Sequence, residues 1–127
     1  VSQRVNALSK FLGRDAGHEG ANHWRAQRLG ALALIPLTIW FLAGMLCLPD
    51  YGFETLHAWV ATPWRSLLLA LLVSCIAWHS QLGVQVVIED YVPGKVAQEL
   101  SLALSALVHA LLGAAGVIAV LLIALKG

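Results

Sequence analysis

Charge is what this sequence has least of. Only 12% of its 127 residues are charged, against roughly 25% in an average soluble domain. Hydrophobic residues make up 59%, where roughly 45–50% is usual, so the composition speaks against a water-soluble globule. The formal charge is +1, with no basic stripe or cluster of the kind that marks a nucleic-acid partner. Cysteine is nearly absent. The two present, Cys47 and Cys75, form no CxxC, CxxCH or Cys-His metal spacing, so both read as buried apolar residues. Without CxxCH, any haem would be held without thioether bonds. The stretch before the first apolar run is polar rather than an apolar signal core, which gives no support for a cleaved secretory signal.

What the chain does have is three long runs without charge, and runs of about 18 or more apolar residues read as membrane spans. Residues 1–28 form a polar lead-in that ends in Asn22-His23-Trp24-Arg25-Ala26-Gln27-Arg28. The first span is expected over 29–48, enough for about 30 Å of helix, with Pro36 tolerated inside it. An outer loop follows over 49–65, opened by the turn cluster Pro49-Asp50-Tyr51-Gly52 and carrying Trp59 and Trp64 at a boundary where aromatic belts form. The second span covers 66–88, a connection 89–99, and the third span 100–125, where Gly113, Ala114 and Gly116 permit close helix approach. The expected fold is an all-α membrane protein of three transmembrane helices.

Lysine and arginine concentrate at the N-terminus, at Arg4, Lys10, Arg14, Arg25 and Arg28, while the 49–65 loop has only Arg65 and the tail only Lys126. The positive-inside rule then puts the N-terminus and the 89–99 connection in the cytoplasm and the C-terminus outside. Arg28 and Asp90 share one membrane face in that arrangement.

Ionisable groups inside a membrane are costly and mark function. His79 is such a group, about 16 Å from Asp90 along a helix rising about 1.5 Å per residue. Positions 79, 83, 86 and 90 form one stripe, so Gly83 leaves a gap beside the imidazole where a flat macrocycle could lie. Two roles are open to His79: a hydrogen bond to a neighbouring helix, or axial ligation of haem iron. His109 lies at similar depth in the third span, which leaves open a bis-histidine site within one chain, a ligand from a partner chain, or a polar packing role for His109. His18, His23 and His57 fall outside the spans and read as solvated or interfacial. His23 and Arg28 lie together near the membrane surface, where an arginine can hold a haem propionate or a lipid headgroup. Asp90 and Tyr91 close the second span, either as a solvated helix end or as a quinone pocket in which Tyr91 donates a hydrogen bond and Asp90 organises protons.

The segment His79-Ser-Gln-Leu-Gly-Val-Gln-Val-Val-Ile-Glu-Asp90-Tyr91-Val92 resembles the signature of the small hydrophobic membrane anchor subunit of succinate dehydrogenase, respiratory complex II. The stretch His23-Trp-Arg-Ala-Gln-Arg28-Leu-Gly-Ala-Leu-Ala-Leu-Ile-Pro-Leu resembles the start of the first span in the same family. The resemblance implies that His79 is an axial ligand of a haem b shared with a partner cytochrome b556-type anchor subunit, with Gly83 packing on the haem and Arg28, and less regularly His23, near its propionates. It implies further that Tyr91 and Asp90 contribute to a ubiquinone site completed by that partner and the iron–sulfur subunit. The flavoprotein subunit would oxidise succinate, since this chain has no flavin fold, cysteine cluster motif or dicarboxylate pocket. Its implied role is in electron transport linked to the tricarboxylic acid cycle, and the lack of a visible transit peptide favours a bacterial inner membrane over a mitochondrial one. A self-contained cytochrome using His79 and His109, and a cofactor-free assembly anchor, are the competing readings.

Overall fold

A computed structural model describes the backbone of residues 16–126 and the side chains of residues 20–126. Arg4, Lys10, Arg14 and the side chain of His18 lie outside the described residues. Four helices follow in order: α1 (Ala16–Leu46), α2 (Phe53–Ala61), α3 (Pro63–Tyr91) and α4 (Lys95–Lys126). Three of them, over Gly20–Leu46, Pro63–Tyr91 and Lys95–Lys126, are long and apolar enough to cross a membrane. Leu29, Leu32, Ile35 and Ile39 of α1 and Leu104, Leu111 and Leu112 of α4 are exposed. An exposed apolar surface of this extent suits lipid, not water.

The helices outrun the apolar segments. At 29 residues α3 is about 44 Å long, and α4, at 32, about 48 Å, while the hydrocarbon layer is about 30 Å thick. The 89–99 connection therefore shrinks to the turn Val92-Pro93-Gly94, because Glu89, Asp90, Lys95 and Glu99 are charged yet helical. Gly94 adopts φ 84°, a conformation that costs glycine little and other residues more. The Gln98 side-chain amide donates to the Glu89 carbonyl at 2.9 Å, tying the two helix ends together.

The other correction falls in 49–65, which contains helix α2 rather than loop alone. Phe53, Leu56, Trp59 and Val60 lie at helical spacing, and Asp50 organises the start by accepting the Gly52 N–H and the Thr55 hydroxyl, each at 2.8 Å. Those two bonds, the Gly52 N–H foremost, hold the Asp50 carboxyl below its ordinary pKa. A lowered folded pKa means the contribution is complete above the ordinary carboxylate range and is lost as pH falls through the lowered value. Asp50→Ala should therefore lower the exchange protection of the Leu56 amide at neutral pH, and the wild-type protein should lose the same protection only as pH falls through the lowered carboxyl pKa. Cys47 also departs from expectation: it is exposed, because α1 ends at Leu46 and the chain turns there, whereas Cys75 is half-buried in α3.

Helix α3 is the centre of the bundle. Both α1 and α4 pack against it, and among the described residues they do not approach each other. Small residues set the α3–α4 seam. A Cβ at Gly113 would stand 3.0 Å from the Ala77 Cβ, and one at Gly116 only 2.7 Å from Val73 Cγ1. Helix α2 packs on α3 and α4 and reaches α1 through Trp59, 5% exposed, stacked on Trp40 at 5.5 Å and meeting Phe41 edge-on at 6.2 Å. Arg65 lies over the Trp59 and Trp64 rings at 5.4 and 5.2 Å. Trp59→Ala should cost about 3–5 kcal/mol, read as a lower unfolding midpoint in detergent, since this one side chain joins α1 to α2.

Candidate functional site

The α1–α3 seam carries the histidine that the sequence singles out. His23, Gln27 and Gly30 recur at i, i+4 and i+7 and share one face of α1. Gly30 is buried, and a Cβ there would lie 3.1 Å from His79 Nδ1. The missing side chain thus lets the imidazole lie flush against the α1 backbone. Gly83, one turn along α3, faces the same helix: its Cβ would meet Gln27 Nε2 at 3.7 Å. The gap beside the imidazole therefore opens onto Gln27.

Three polar atoms are sealed without a hydrogen-bond partner among the described residues: His79 Nδ1, Gln27 Oε1 and His23 Nε2. His79 Nε2 is not among the sealed atoms. His109 is in the opposite condition. Its Nδ1 lies 2.7 Å from the Ser105 carbonyl, which can only accept, so Nδ1 carries the proton and Nε2 accepts from the Ser80 hydroxyl at 3.2 Å. Both ring nitrogens are used within the α3–α4 hairpin. Clefts of about 420 and 280 Å³ flank this seam and share Ala77, His109 and Gly113, but His79 lines neither.

The remaining candidates are placed but not gathered. Arg28 is exposed and lies over the Trp24 ring at 5.4 Å. Five residues of helix turn it roughly 140° from His23, so the two do not share a face of α1 as their closeness in sequence suggested. His23 instead faces the seam with a sealed nitrogen. Asp90 is exposed at the end of α3, and Tyr91, 80% exposed, is that helix's last residue. Among the described residues neither side chain makes a hydrogen bond, so this chain supplies an open edge at that point rather than an enclosed pocket. His57 packs against Phe53 with ring centroids 5.5 Å apart.

Sequence reasoning missed Gln27 and Gly30. The signal was present as His23-x3-Gln27-x2-Gly30, a polar and small-residue stripe at helical spacing entering an apolar span.

Comparison with known proteins agrees with this architecture. Residues 3–125 match the family described as Succinate dehydrogenase/Fumarate reductase transmembrane subunit. The succinate dehydrogenase hydrophobic membrane anchor subunit of Rickettsia bellii is 30% identical over 85 residues, 67% of this chain and 68% of that protein. Its counterpart in Rickettsia felis is 30% identical over 77 residues, 61% of this chain and 64% of that protein. No solved structure matches. With three membrane-length helices and a match across nearly its whole length, the chain belongs to the family of succinate dehydrogenase/fumarate reductase transmembrane subunits, as a membrane anchor subunit.

Proposed function

We propose that this anchor subunit holds one side of a haem b site through His79 and contributes Tyr91 and Asp90 to a ubiquinone-reducing site. The observation that carries the reading is the contrast between the two membrane histidines. Every nitrogen of His109 is used inside the chain, whereas His79 has Nδ1 turned into the α1 seam and Nε2 left over. An imidazole packed against a neighbouring helix on its Nδ1 side, with Nε2 unburied and unbonded, is the donor an axial site would need. His79 would hold haem b there together with a ligand from a partner cytochrome b-type anchor subunit, and the bound group would supply a one-electron redox centre.

The chain's own residues divide the remaining work. Gly30 lets the His79 ring seat against α1, and Gly83 keeps the adjoining turn of α3 free of bulk. Arg28, exposed at the same end of the bundle as Asp90, offers a guanidinium to a propionate. Tyr91 donates its hydroxyl to a quinone carbonyl, and Asp90 passes protons from the aqueous side. The open edge at these two residues is completed by the cytochrome partner and the iron–sulfur subunit. The flavoprotein subunit oxidises succinate, and electrons leave through the anchor into the quinone. The concentration of lysine and arginine before the first span, Arg25 and Arg28 among them, supports an orientation with this end in the cytoplasm, and the bacterial relatives support an inner membrane as its location.

Purification in mild detergent should recover the flavoprotein and iron–sulfur subunits together with a haem b optical spectrum. A complex that reduces quinone without haem would sink the haem half of this reading. Tyr91→Phe removes one hydrogen bond and should slow quinone reduction roughly tenfold, while succinate oxidation by an artificial soluble acceptor is unchanged. Equal loss of both activities would remove Tyr91 from the quinone site.

A further inference from the structure

The sealed atoms of the α1–α3 seam are chemically complementary. Gln27 Oε1 can only accept, and His79 Nδ1 is a donor in the tautomer that leaves Nε2 free for a metal. They are also neighbours. Gln27 and Gly30 are about one turn apart on α1, His79 and Gly83 one turn apart on α3, and Gly30 meets His79 while Gln27 meets Gly83. The carboxamide is therefore level with the turn of α3 next to the imidazole, within the span of a side-chain rotation or a single water. Left unpaired, each buried group carries an uncompensated desolvation penalty, which disfavours keeping both. His23 Nε2, one turn further along the same stripe of α1, is an acceptor in its Nδ1–H tautomer and suits the carboxamide N–H.

We propose that Gln27 is the positioning residue for His79: its carbonyl oxygen accepts the Nδ1–H, directly or through one water, and so fixes the ring's tautomer and its rotation about Cβ–Cγ. His23 in turn orients the carboxamide. This inference rests on the reading of His79 as a haem ligand. Metal-ligating histidines nearly always donate their second N–H to an acceptor, and losing that acceptor typically weakens metal affinity 10–100-fold. In this chain the acceptor comes from the first span, so α1 helps to set the ligand carried by α3.

The test uses the complete complex carrying Gln27→Leu, Gln27→Glu or His79→Ala, read by haem retention, the low-spin electron paramagnetic resonance spectrum and a redox titration of the haem. Gln27→Leu removes the acceptor at similar size and should reduce haem retention about tenfold or more, with a raised midpoint potential. Gln27→Glu supplies a stronger acceptor, makes the imidazole a better donor to ferric iron, and should lower the potential. Opposite shifts from two substitutions at one position are not what a packing role gives. Unchanged resonance spectra and potentials in both variants, or shifts of the same sign, overturn the proposal even if His79→Ala abolishes the haem signal. A haem signal that survives His79→Ala overturns the ligand reading and this inference with it.

Discussion

His79→Ala is expected to abolish the haem b optical signal of the purified complex, and His109→Ala to leave it in place. The two histidines occupy adjacent spans at comparable depth, so the contrast tests geometry rather than mere membrane location. Removing His79 deletes a mid-span imidazole with no hydrogen-bond partner among the described residues, whereas both ring nitrogens of His109 are bonded. Removing His109 breaks its hydrogen bonds to Ser80 and Ser105 within the α3–α4 hairpin, a cost of about 1 kcal/mol that should lower the unfolding midpoint. Loss of haem in His109→Ala, with subunit composition intact, would instead favour a cytochrome whose two ligands both lie in this chain. His79→Tyr serves as a bulkier companion: it should alter the spectrum more than it alters recovery of the assembled subunits.

The second large effect is expected at Gly116. In a bilayer, lipid is as apolar as leucine, so helices associate through close packing rather than by escaping water. A Cβ at Gly116 already falls 2.7 Å from Val73 Cγ1, and leucine adds three further carbons beyond it. The helices must part. His109, Gly113, Gly116 and Val120 form one stripe of α4, so separation at Gly116 also strains the Ser80–His109 bond of 3.2 Å. Gly116→Leu should cost about 3 kcal/mol or more, seen as a large fall in the unfolding midpoint in detergent. Ala114→Leu, on the exposed side of the same helix, should stay within about 0.5 kcal/mol. Equal effects at the two positions would mean that the Gly116–Val73 approach does not set the seam.

Both predictions concern which faces meet, and that is the level at which the sequence was hardest to read. The three uncharged runs declared themselves because their length is a property of the linear chain. Their ends did not, since charged residues such as Glu89, Asp90 and Lys95 remain helical where they emerge from the apolar layer. Helix α2 escaped notice because its stretch is short and is bracketed by Pro49, Gly52 and Pro63, which signal turns. The polar ring around its start, Asp50 with Gly52 and Thr55, was the available clue.

The sequence by itself determined that this is a three-span membrane protein, that His79 lies deep in the second span, and that its two motifs resemble those of the anchor subunits with which the comparisons group it. Tertiary structure decided the rest. It committed His109 to the hairpin, turned His23 inward and Arg28 outward, and put Gly30 beside His79 and Gln27 beside Gly83. The physical reason is that a helix in lipid can be apolar on every side, so hydrophobic periodicity carries little information about which face meets a neighbour. Steric fit at glycines carries it instead. Gly30 admits the imidazole and Gly113 and Gly116 admit α3, and those fits exist only once the helices are packed.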